Sequence, residues 1–67
     1  MSRLQKAQVK ANRLLTKATR ERATMGYREN LGYDQYRVLQ DYCTEIGLSY
    51  VETSILLKRF EKECDAL

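Results

Sequence analysis

Six bases, at Arg3, Lys6, Lys10, Arg13, Lys17 and Arg20, follow one another at intervals of 3, 4, 3, 4 and 3 residues, and no acid occurs among the first twenty positions. On an α-helix, at roughly 100° per residue, alternating steps of three and four gather all six into one arc of about 100°. A row of cations at that pitch suits phosphate chemistry. Each Lys or Arg that neutralises a backbone phosphate releases condensed counterions, a source of affinity that does not depend on base sequence. Gln5, Gln8 and Asn12 fall on an uncharged polar face of the same helix and are the auxiliary residues for sugar or base edges. The partner expected is nucleic acid, DNA or RNA. An acidic protein surface is the alternative that the same stripe fits. A membrane surface is not expected, because the neighbouring apolar stripe lacks the aromatic and bulky side chains that drive insertion.

The net charge of +3 conceals how unevenly the charges lie: residues 1–22 carry seven bases and one acid, residues 23–67 five bases and eight acids. Catalysis finds no support. The chain has no histidine to serve as a general base, no glycine-rich phosphate loop, and two cysteines, Cys43 and Cys64, with no activating neighbour in the sequence. No spacing of ligand residues predicts a metal or any other cofactor. The two cysteines read as reduced core residues, and the polar start of the chain does not resemble a secretory signal, so a cytoplasmic protein is expected.

The elements that must carry the stripe follow from glycine and capping signals. Proline is absent and glycine occurs only at 26, 32 and 47, which predicts an all-α chain of three helices. The first should run from about Ser2 to Met25, capped by Ser2 and stopped at Gly26. Leu4, Ala7, Ala11, Leu14, Leu15 and Ala18 form its apolar face. Residues 26–34 form a glycine-bearing joint. Asp34 is a suitable cap for a second helix, about Gln35 to Ile46, with Tyr36, Val38, Leu39, Tyr42, Cys43 and Ile46 on its apolar side. Ser49 and Glu52 make an S-x-x-E capping box that opens a third helix, whose inward face reads Tyr50, Thr53, Leu56, Leu57, Phe60, Cys64 and Leu67. Residues 1–67 are thus expected to be one small helical domain: a basic helix, a joint and a C-terminal hairpin.

The hairpin, from Tyr42 to Leu56, resembles a helix-turn-helix in the spacing of Cys43, Ile46, Gly47, Leu48, Ser49 and Leu56. Its outward face does not suit a duplex, because Val51 and Ile55 point away from the core and Glu52, Glu61, Glu63 and Asp65 offset Lys58, Arg59 and Lys62. Val51 and Ile55 therefore need a second partner surface, either the alanine-rich face of the first helix or another molecule, and are expected to form a protein interface. A chain of 67 residues buries only about 60% of its unfolded surface, so self-association is expected to supplement a thin core. Two weaker likenesses carry no function. Asn12 and Arg20 are spaced as in the basic region of leucine-zipper proteins, but Leu15 and Thr16 replace its alanines. Met25-Gly26-Tyr27 resembles the loop of ubiquitin-associated domains. The tyrosines at 27, 33, 36, 42 and 50 are read as plugs at the ends of the core, with stacking on unpaired bases as their functional alternative.

The function expected from these observations is that of a small regulatory protein that binds a nucleic-acid backbone through its first helix. The alternative is a protein-binding adaptor or inhibitor acting through that helix or through the Val51 and Ile55 patch.

Overall fold

A computed structural model describing residues 1–67 consists of three helices, α1 (Arg3–Met25), α2 (Tyr33–Glu45) and α3 (Tyr50–Asp65), with no strand. Every pair of helices is in contact, and the molecule measures 34 × 19 × 16 Å. Its long dimension is the length of α1, since 23 residues at 1.5 Å each span about 34 Å. No helix is long and apolar enough to cross a membrane.

Local signals set the ends of α1 and α3. The Ser2 hydroxyl accepts from the Gln5 amide at 3.1 Å while the Gln5 side chain accepts from the Ser2 amide at 2.9 Å, closing a reciprocal capping box. Gly26, at φ +79°, ends the helix and donates its amide to the Arg22 carbonyl. At α3 the box is only half formed. The Ser49 hydroxyl accepts from the Glu52 amide at 3.2 Å, but the Glu52 carboxylate turns to the Ser49 hydroxyl, at 2.9 Å, instead of the Ser49 amide.

The start of α2 corrects the sequence reading. The helix begins at Tyr33, capped by Gly32 with no side-chain hydrogen bond, and Asp34 lies inside the first turn, where it favours the positive end of the helix dipole without capping it. Gly32, at φ +84° and ψ 0°, reverses the chain so sharply that its own carbonyl accepts the first helical bond, from the Tyr36 amide at 2.8 Å. Between α2 and α3, Gly47 at φ +74° sits in a Schellman turn. The Leu48 amide reaches the Cys43 carbonyl at 3.0 Å and the Gly47 amide reaches that of Thr44 at 3.2 Å, so carbonyls left open at the end of α2 are satisfied.

The core is Ala7, Ala11, Leu14 and Ala18 of α1, Leu39 and Cys43 of α2, and Leu56, Leu57, Phe60 and Cys64 of α3. Alanine at three of the four α1 positions leaves room for the larger side chains of α3. Two assigned core residues lie elsewhere: Tyr50, the first residue of α3, is 86% exposed at the rim, and Val38 is 45% exposed on the edge of the α2 apolar arc. Gln35, not foreseen as a core residue, is buried, its amide donating to Glu21 Oε1 at 3.0 Å.

Candidate nucleic-acid interface

The basic stripe runs along an unbroken α1. Arg3, Lys6, Arg13, Lys17 and Arg20 are exposed and Lys10 is half-buried. The only ion pair in the chain joins Arg28 Nη2 to Glu21 Oε2 at 3.3 Å, so none of the six stripe bases is neutralised by a carboxylate of its own chain. Two of the six are nonetheless engaged by α2. Lys10 Nζ stands 5.4 Å from the ring centroid of Tyr42, within cation–π range. Arg3 lies beside Gly47, where an added Cβ would be 3.9 Å from the guanidinium carbon. That position is the C-terminal end of α2, whose last turn contains no base of its own, so Arg3 supplies the positive charge that the helix dipole favours there. Lys6, Arg13, Lys17 and Arg20 remain uncommitted, a row that reaches roughly 21 Å along the helix axis.

The auxiliary polar residues are not gathered onto that row. Gln5 is held in the α1 cap. Gln8 and Asn12 line a cleft of about 310 Å³ between α1 and α3, together with Ala11, Leu56, Arg59, Phe60 and Glu63. The stripe borders α2, whereas these two amides border α3. The wheel places them on separate faces of α1, and only the packing of α2 and α3 on either side turns those faces toward different neighbours.

Val51 and Ile55 are 66% and 59% exposed. Ile55 borders a smaller cleft with Leu4, Gln8, Glu52, Leu56 and Arg59, so one edge of this patch adjoins the start of α1 without being covered by it. The tyrosines differ in their surroundings. Tyr36 packs against the core and Tyr42 lies beneath Lys10, whereas Tyr27 is exposed beside Arg22, whose guanidinium carbon is 6.0 Å from its ring centroid. The Tyr33 hydroxyl accepts from Arg37 Nη1 at 3.2 Å.

The nucleophilic side chains are set apart from this surface. Cys43 and Cys64 are both reduced and buried. Burial pushes the Cys43 thiol above its ordinary range; for Cys64 burial does the same, with Asp65 and Glu63 adding to it. A thiol raised in this way is mostly protonated near neutrality and is a poor nucleophile. No group of three or more His, Cys, Asp or Glu side chains is placed to hold a metal ion. No protein-family model, curated protein or solved structure matches the chain.

Proposed function

We propose that this chain is a small nucleic-acid-binding protein that holds a phosphate backbone along α1, in keeping with a regulatory rather than an enzymatic role. The observation that carries this reading is the state of the stripe: six bases in one arc, none paired with a carboxylate, four of them exposed and uncommitted. Lys6, Arg13, Lys17 and Arg20 are the main phosphate contacts. Arg3 and Lys10 contribute from positions partly held by α2. The unit of α2, turn and α3 keeps its helix-turn-helix-like reading as a scaffold for self-association, because the outward face of α3 is mixed in charge and centred on Val51 and Ile55.

Titration of the purified chain against duplex and single-stranded oligonucleotides at several salt concentrations tests the proposal. Neutralising four phosphates predicts that log affinity for duplex falls against log salt with a slope of about −3.6. Binding that ignores salt, or no binding at low ionic strength, overturns it. The second reading, docking of the same stripe on an acidic protein, rests on the same unpaired bases. It predicts capture of a protein partner that survives nuclease treatment and is lost on charge reversal at Lys10 and Arg13.

A further inference from the structure

The flank of α3 that borders the start of α1 has a charge pattern that is complementary to itself. Glu52 and Arg59 lie seven residues apart, so on a helix they fall on the same flank, about two turns from one another. Both border the cleft that also contains Leu4 and Ile55, which confirms the shared flank. At roughly 10.5 Å of axial separation they are too far apart to pair within one helix, and no ion pair joins either of them to another residue of the chain. Between them stands Ile55, 59% exposed, with Val51, 66% exposed, beside it. Opposite charges placed on one flank, almost equally to either side of an exposed apolar residue, make a patch that is self-complementary, as an isologous contact requires, in which the same patch serves both partners.

We propose that α3 pairs with α3 of a second copy of this chain, antiparallel, about a twofold axis at Ile55. In that arrangement Glu52 of each copy meets Arg59 of the partner subunit, and Val51 packs on the aliphatic stem of Lys58 of the partner subunit. The two Ile55 side chains meet on the axis. The flank of α1 that carries the basic stripe borders α2, and Arg3 and Lys10 are held there, so the pairing leaves the stripe open. The proposal does not depend on phosphate binding, and its assay contains no nucleic acid. A contact built on one face of a 16-residue helix is small, so the dimer is expected to be weak and concentration-dependent.

Sedimentation equilibrium from micromolar to millimolar protein tests this pairing, with helicity followed by circular dichroism. The wild-type chain should pass from monomer to dimer, and the V51S/I55S double variant should remain monomeric with its helicity intact. E52R and R59E, each alone, should dimerise roughly tenfold more weakly, since each places like charges opposite one another twice. An equimolar mixture of E52R and R59E should recover wild-type association, because both pairs are complementary in the heterodimer. Glu52 also takes part in the α3 cap. If E52R loses helicity, R59E alone decides the matter: its dimer should tighten with added salt while that of the wild type loosens. A wild-type chain that stays monomeric at millimolar concentration, an oligomer larger than two, a dimer indifferent to V51S/I55S, or a mixture without recovery would each overturn the proposal.

Discussion

Lys10 Nζ stands 5.4 Å from the centroid of the Tyr42 ring, and this contact ties the basic face of α1 to α2. The residue is therefore both part of the row proposed to bind phosphate and part of the joint between two helices. Replacing its two roles separately should give two different results. Lys10→Ala is expected to weaken oligonucleotide binding and to reduce the magnitude of the salt slope by less than the full unit expected of Arg13→Ala or Lys17→Ala. Tyr42→Leu removes the ring alone and should cost about 0.5–1 kcal/mol in urea unfolding, with the slope unchanged. A Tyr42→Leu chain with a reduced slope would place the ring itself on the nucleic acid.

Charge placement within α1 gives a second prediction. Arg13→Ala and Lys17→Ala should each lower affinity for all sequences alike, whereas Gln8→Ala and Asn12→Ala, on the α3 side, should leave affinity and salt slope unaltered. Fluorescence anisotropy with two oligonucleotides of unrelated sequence distinguishes these outcomes. Loss of affinity for one sequence alone in Asn12→Ala would show that the binding surface extends round to the cleft.

Gly32 and Gly47 both have positive φ, but only one of them is crowded. A Cβ at Gly32 would lie 2.6 Å from Cys64 Sγ, whereas the nearest atom at Gly47 is 3.9 Å away. Gly47→Ala should cost about 1–2 kcal/mol, for the backbone conformation alone. Gly32→Ala adds overpacking against the core and should cost about 3 kcal/mol or more. A chain this size has roughly 3–10 kcal/mol in total, so the second variant is expected to be partly unfolded at room temperature. Urea titration checks the order, and adding Cys64→Ala to Gly32→Ala should cost less than the two single effects combined.

Gln35 is buried with its amide on Glu21, and Glu21 also holds Arg28. Glu21→Ala leaves that buried amide without its acceptor and should destabilise the fold by about 1–3 kcal/mol. Pairing it with Gln35→Leu should recover part of the loss, because no polar group is then left unsatisfied. Thermal unfolding of the four chains of this cycle measures the coupling.

The raised thiols of Cys43 and Cys64 make stability fall at alkaline pH. The unfolded chain ionises first, near about pH 8.5, and from there the folded state holds more protons than the unfolded one, so stability drops until the folded thiols also ionise. Below that window the contribution is fully present. The expected outcome is a decline in unfolding free energy above about pH 8.5 that is reduced in the Cys43→Ala/Cys64→Ala chain. Native thiols should also react with a soluble disulfide reagent far more slowly than unfolded ones.

Much of α1 was legible in its residues. The pitch of its bases, the Ser2 cap and the stop at Gly26 depend on neighbours within about four residues, and local interactions of that range are read directly from spacing. The same holds for the Gly47 turn and the Ser49 cap of α3. The misplaced residues share one cause. Tyr50 and Val38 have apolar side chains that periodicity assigns to the core, but they lie at the edges of their arcs, and only the positions of the neighbouring helices decide whether an edge is covered. Gln35 was missed because its burial depends on Glu21, fourteen residues away. The start of α2 was misjudged because Asp34 is a good cap in isolation, while Gly32, pressed against Cys64, had already turned the chain.

By itself, then, the sequence determined the three helices, their main apolar faces and the arc of six bases, because helical pitch converts spacing into direction without help from the rest of the molecule. Tertiary structure alone decided that Arg3 and Lys10 lean on α2, that Gln8 and Asn12 turn toward α3, and that Val51 and Ile55 stay uncovered. Those outcomes depend on which helix lies on which side of α1, and that choice is made by the packing of Leu39, Leu57 and Phe60 against a narrow alanine face, among residues that are neighbours only in the folded chain.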